Sequence, residues 1–167
     1  MKDEGMSLIE VMVSITILTL ALAGFLSALL SFFALQQDTK ERTLALQYLR
    51  AKIEELQSEA KTITGFQQIL SKYIVHPDFE VEGLKAAKDD KDGKPGKVIF
   101  PLDQNNQLME TATFSEFGMP RDLNGDGKAD SNATTNYTLL PLIVRIEWQS
   151  DRKKSLEIPI LLTNKTP

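Results

Sequence analysis

The chain has no cysteine and a single histidine, His76. Without thiols it forms no disulfide, so packing, hydrogen bonding or a bound ion must hold its loops. With no Cys and no second His, a zinc site of the usual kind lacks ligands. Neither a nucleophile–base constellation nor a glycine-rich phosphate loop is present, so no enzyme is expected. Positive charge is not in excess: 19 Lys and Arg face 23 Asp and Glu, a formal net charge of −4. That is not the basic footprint of a general nucleic-acid binder, and no nucleic-acid partner is expected. The longest absence is of charge itself. From Val11 to Gln37 there is no Asp, Glu, Lys or Arg.

What fills that gap is apolar. The run from Met6 to Leu35 exceeds the roughly 18 residues that mark a membrane-spanning helix. Its thirty residues would rise about 45 Å, against a hydrocarbon core of about 30 Å. A cleaved signal peptide has a basic start and a shorter apolar core, and this run fits neither condition. Ser14, Ala21, Ala23, Gly24, Ser27 and Ala28 permit close approach of a neighbouring helix, although small residues are common in any membrane helix. Glu10 lies just inside the run. An ionisable group at that depth costs roughly 2.5–3.5 kcal/mol on insertion scales, so it is usually kept for a purpose and compensated by an opposite charge.

The stretch Gly5-Met6-Ser7-Leu8-Ile9-Glu10-Val11, with the apolar helix behind it, resembles the processing signature of type IV pilins and type II secretion pseudopilins. The resemblance implies that a prepilin peptidase cuts after Gly5 and N-methylates Met6. It also implies that Glu10 pairs with a subunit's terminal amine during entry into a filament. Two features depart from the family's usual pattern: Met6 stands where Phe is common, and the leader, residues 1–5, carries two acids against one base. Cleavage would create an α-ammonium, unperturbed pKa about 7.7–8.0, about one helical turn from Glu10. In low dielectric each charge is costly alone and the pair attracts strongly. The Ser-Leu-Ile-Glu-Val start and the Val-Arg-Ile-Glu-Trp stretch near the end look most like minor subunits of the type IV pilus modification kind. Minor pseudopilins of a type II secretion system look nearly the same. The partners implied are the peptidase, other pilin or pseudopilin subunits and the inner membrane, crossed once with the globular part periplasmic. A stand-alone membrane-anchored calcium-binding or adhesive protein is the alternative of another class.

Behind the apolar run, Leu44, Tyr48, Leu49, Ile53, Leu56, Ala60 and Ile63 form one stripe of an amphipathic helix. The helix is expected to continue through residues 36–65 and stop at Gly65. Phe66, Ile69, Leu70, Tyr73 and Ile74 predict a short second helix ended by His76-Pro77. The rest of a globular α+β domain, residues 66–167, follows. Short strands are expected at Phe79–Leu84, Val98–Leu102 and Thr111–Phe117, around a solvated loop at 85–97 that contains Asp89, Asp90 and Asp92. Alternating apolar residues predict an antiparallel hairpin, Leu142–Trp148 with Leu156–Leu162. Pro159 places the second strand at a sheet edge or turns that position outward. The expected fold is pilin-like: a long N-terminal helix packed by its stripe on a small antiparallel sheet.

One loop carries a ligand pattern. Asp122, Asn124, Asp126 and Asp130 occupy positions 1, 3, 5 and 9 of an EF-hand-type calcium loop spanning 122–133. Gly127 sits at the sharp turn, and Lys128 would offer its backbone carbonyl. Position 12 is Ala133 instead of a bidentate Glu, leaving a further ligand to Asn132, a distant residue or water. Affinity is expected in the weak, extracellular range of about 10⁻⁴–10⁻³ M. The competing reading is a plain turn, since Asn-Gly and Asp-Gly favour turns. Functionally the ion would do the work of the missing disulfide.

Overall fold

A computed structural model describes residues 7–88, 92–129, 132–150 and 152–164. They fall into two compact units, Met1–Arg42 and Thr43–Pro167. Helix α1, Leu8–Ala60, contributes to both.

In the first unit, α1 is apolar on every side from Val11 to Leu35, and no residue of its most apolar stretch is buried. Uniform apolarity of this kind belongs to a helix solvated by lipid or by other helices. Its length and composition suffice to cross a membrane. The few hydroxyls are satisfied internally: Ser14, Thr16, Thr19 and Ser31 each donate to the carbonyl four residues back, at 2.7–3.0 Å. The helix therefore presents no unmet donor from these residues to an apolar surround.

In the second unit, the stripe on α1 becomes a core face. Ala45, Leu49, Leu56 and Ala60 are buried, with Leu44, Tyr48 and Ile53 packed beside them. The helix does not run on to Gly65. It ends at Ala60, and α2, Ile63–Val75, starts after a two-residue turn. The cause is local chemistry. The Thr62 hydroxyl oxygen accepts the Gly65 N–H at 3.1 Å and caps α2, a bond that favours a new helix start. Gly65 is needed because it has no side group: a β-carbon there would collide with the Glu59 carbonyl oxygen. Ile63, placed on the stripe by its spacing, is consequently the exposed first residue of α2. The second helix buries Phe66, Ile69, Leu70 and Tyr73 and is capped by His76, as its periodicity predicts.

A polar clasp joins the two helices. Lys52 Nζ lies 2.9 and 3.0 Å from the Glu55 carboxylate oxygens and 3.1 Å from the Tyr73 hydroxyl. That hydroxyl donates to Glu55 Oε1 at 3.2 Å. Lys72 pairs with Glu59. Burial raises the Glu55 pKa, but the hydrogen bond and charge of Lys52, the Tyr73 hydroxyl and Lys72 together outweigh it and hold the carboxyl below its ordinary value. The bond to Glu59 raises Lys72 above its ordinary value, against the smaller effect of burial.

Four antiparallel strands follow one another in sequence order: β1 Asp78–Phe79, β2 Gly96–Ile99, β3 Leu139–Gln149 and β4 Lys153–Thr163. The last pair is the predicted hairpin, lengthened at both ends, with Leu142 opposite Ile160 and Val144 opposite Ile158. Leu142, Val144, Ile146 and Trp148 are buried, and Leu156, Ile158 and Ile160 pack on the same core. Pro159 sits in the edge strand opposite Ile143, where its missing N–H costs little. On the opposite face Arg145 meets Glu157 at 2.8 Å, a partly exposed pair of small energetic weight. The expected strand at Phe79–Leu84 shrinks to Asp78–Phe79, and that at Val98–Leu102 shifts to Gly96–Ile99. No strand forms at Thr111–Phe117; Ser115–Phe117 is a single 3₁₀ turn ended by Gly118 in the left-handed region. That segment lacks alternation, and its neighbours are tied by isolated bridges, Leu102 to Leu108 and Met109 to Asn132. With α1 and α2 on one face of the sheet's core, the arrangement is α+β and pilin-like.

Candidate functional site

Two places gather the residues that the sequence singles out. The first is the start of α1. Gly5 and Met6 lie outside the described residues. Glu10 stands in the first turn of α1, where a negative charge is favoured by the helix dipole. Its N–H donates to the Ser7 carbonyl at 3.0 Å, and its own carbonyl accepts from the Ser14 hydroxyl at 2.7 Å. Glu10 is exposed, as are Leu8, Ile9 and Met12 around it. The carboxylate thus stands exposed within an apolar collar.

The second place is the oxygen-rich loop. Asp122 Oδ1 accepts the Gly125 N–H at 2.6 Å and Oδ2 the Gly127 N–H at 2.8 Å. Asn124 Oδ1 accepts from Asp126 N–H at 2.8 Å, and Asp126 Oδ1 from Lys128 N–H at 2.9 Å. Gly125 and Gly127 adopt φ of 85° and 88°, the left-handed region that glycine enters without strain. The successive oxygens at positions 1, 3 and 5 therefore serve as turn acceptors for the N–H groups two to five residues on. A carboxylate offers about four lone-pair sites, and the bonds from Gly125 and Gly127 use two of those on Asp122.

The fit to a hard cation is partial. Ala133, at position 12, is wholly buried and supplies no oxygen of its own beyond the backbone. The Asn132 amide oxygen is taken by Thr134, whose N–H and hydroxyl approach at 2.9 and 2.5 Å. Asp130 lies outside the described residues. Among the described residues no group of three His, Cys, Asp or Glu is arranged around one metal position. Asp122, Asn124 and Asp126 would have to be supplemented by Asp130, the Lys128 carbonyl and water.

One residue beneath the loop escaped sequence reasoning. Glu110 is the single fully buried charged residue among those described. Its Oε1 accepts the N–H groups of Leu123 and Asn124 at 2.8 and 3.1 Å. Leu123 is itself buried, and its carbonyl accepts from Thr138 N–H at 2.7 Å and Leu139 N–H at 3.0 Å. The loop's first residues are thus clamped between Glu110 and the start of β3. The available signal was an acid flanked by apolar residues in Leu108-Met109-Glu110, too weak to name a partner. Tyr137 adds a second tie: its hydroxyl donates to the Phe66 and Gln67 carbonyls of α2 at 3.0 and 3.1 Å. Burial pushes the Tyr137 phenol above its ordinary pKa. His76 lines an open polar groove with Asp78, Asp92 and Lys94; Asp89 and Asp90 lie outside the described residues.

Residues 1–26 match the family model of the prokaryotic N-terminal methylation motif. This is the signature of type IV pilins and pseudopilins, a class of structural subunits. The motif implies processing by prepilin peptidase and assembly with other pilin subunits. Together with the apolar helix it fits anchoring in the inner membrane. No curated protein and no solved structure matches the sequence.

Proposed function

We propose that this protein is a minor pilin, processed by prepilin peptidase and built into a type IV pilus from the inner membrane, with the second unit periplasmic before assembly. The observation that carries this reading is the exposed Glu10 in the first turn of a helix whose apolar stretch is otherwise uncharged. A lone acid there is costly in lipid and is relieved by a neighbour's freed amine. Minor pseudopilin of a type II secretion system is the nearest competing role, and the partner subunits recovered with the protein separate the two.

Co-expression with a prepilin peptidase is expected to remove residues 1–5 and leave a methylated Met6, and Gly5→Ala to abolish both changes. Glu10→Ala is expected to insert and be cleaved, yet to be lost from filaments. A plain membrane anchor shows neither cleavage nor methylation. Normal assembly of Glu10→Ala would refute the pairing.

Calcium is proposed as the ion of the 122–133 loop, with Asp122, Asn124, Asp126, the Lys128 carbonyl and Asp130 as donors. The donor chemistry supports a hard cation, and the absent bidentate acid supports weak binding.

A further inference from the structure

Asn124 and Gly125 stand together at loop positions 3 and 4. An Asn followed by Gly is prone to spontaneous loss of its amide, because no β-carbon hinders the glycine nitrogen. We propose that Asn124 is a latent deamidation site and that Asp122 is the latch that keeps it shut.

In the reaction the Gly125 nitrogen loses its proton and attacks Cγ of Asn124. A new bond from that nitrogen to Cγ closes a five-membered imide. The bond between Cγ and Nδ2 breaks, and ammonia leaves with a proton. Water then opens the imide at either carbonyl, giving aspartate or isoaspartate. The folded loop opposes this at each end. The attacking nitrogen is held as a donor to Asp122 Oδ1 at 2.6 Å, and a carboxylate beside it disfavours a second negative charge on that nitrogen. The target amide is held by Asp126: its oxygen accepts from Asp126 N–H at 2.8 Å, and its nitrogen donates to Asp126 Oδ2 at 3.4 Å. Glu110 and Thr138 fix the backbone at and just before it. Closure of the imide must wait for local opening, so its rate follows the open fraction.

The product has a consequence for the loop. Aspartate at position 3 replaces a neutral donor with a charged one, while isoaspartate lengthens the backbone and breaks the donor spacing. That consequence rests on the calcium reading; the latch itself does not.

The test uses the full-length protein in detergent micelles with excess EDTA in every arm, so that calcium plays no part. Deamidation at position 124 is followed by peptide mass spectrometry, beside a synthetic peptide of residues 121–129. The native protein is expected to react at least about tenfold more slowly than the peptide. Asp122→Asn, which keeps an oxygen acceptor and removes the charge, and Asp122→Ala are expected to react at least about threefold faster than the native protein. A native rate equal to the peptide's overturns the proposal. A slow rate retained in Asp122→Asn, with its melting transition intact, overturns it equally.

Discussion

Glu10 and Glu110 are both carboxylates in apolar settings, and their environments set opposite roles. Glu10 is exposed among the described residues, and on the proposed reading its compensation arrives from another molecule. Glu110 is wholly enclosed, and its compensation is already present as the N–H groups of Leu123 and Asn124. Leaving a buried donor unsatisfied costs about 1–3 kcal/mol. Glu110→Ala strands the buried Leu123 donor and the half-buried Asn124 donor and is expected to destabilise the second unit by roughly 2–4 kcal/mol. Glu110→Gln keeps a carbonyl oxygen and is expected to lose less. Thermal melts of the two variants check the order; equal losses would mean that the bonds to the loop are not what Glu110 contributes. Glu10 was legible because it interrupts a pattern. Glu110 was not, because its partners lie 13 and 14 residues away and only the folded backbone brings them together.

The helix pair shows how an element boundary can hide in plain sequence. The stripe from Leu44 to Ala60 is periodic, and the α2 pattern is periodic, but nothing in either period announces the turn at Lys61–Thr62. Gly65 read as a stop, whereas the Thr62 cap recruits its N–H into the first turn of α2. What holds α2 on α1 is partly ionic, so it answers to pH. Glu55 has a lowered pKa in the folded state, so its contribution is present above the ordinary 4.5 and is lost as pH falls through the lower folded value. Lys72 and Tyr137 have raised values, so their contributions are complete below 10.5 and 10.0 and are lost as pH rises through the folded values. The melting temperature of the second unit is therefore expected to be flat from about pH 5 to 9 and to fall on both sides. Lys52→Met is expected to shrink the acid-side loss attributable to Glu55. A profile on the acid side identical to that of the unaltered protein would remove the clasp from the account. Glu55 and Lys72 are substantially exposed, so added salt should flatten the contrast.

At the scale of the whole molecule, the long apolar helix and the final hairpin were legible because each imposes a strict period on its residues. The segment from Leu102 to Arg121 was not, because isolated bridges, the 3₁₀ turn and the Asp103-centred turn leave no repeating trace. The loop at 122–133 falls between: its spacing is legible, and the clamp beneath it is not. If calcium completes that loop, the melting temperature of the full-length protein should rise with millimolar calcium and return with EDTA. An identical melt in both would leave the loop as a hydrogen-bonded turn. The shift should be small, since a ligand at its own Kd adds only about 0.4 kcal/mol and at a hundredfold excess about 2.7 kcal/mol.

The sheet order repeats the sequence order, β1 to β4, with no crossover. A nascent polypeptide emerging from its amino end can therefore dock each strand against one already delivered, and none has to be held open for a later arrival. The last arrival, β4, is also the outermost, so synthesis halted at the tip of the hairpin would leave β3 with a bare margin of unmet backbone groups inviting adhesion between copies. Completion of β4 moves that margin outward to an edge strand that carries Pro159, which has no N–H to offer a neighbouring copy.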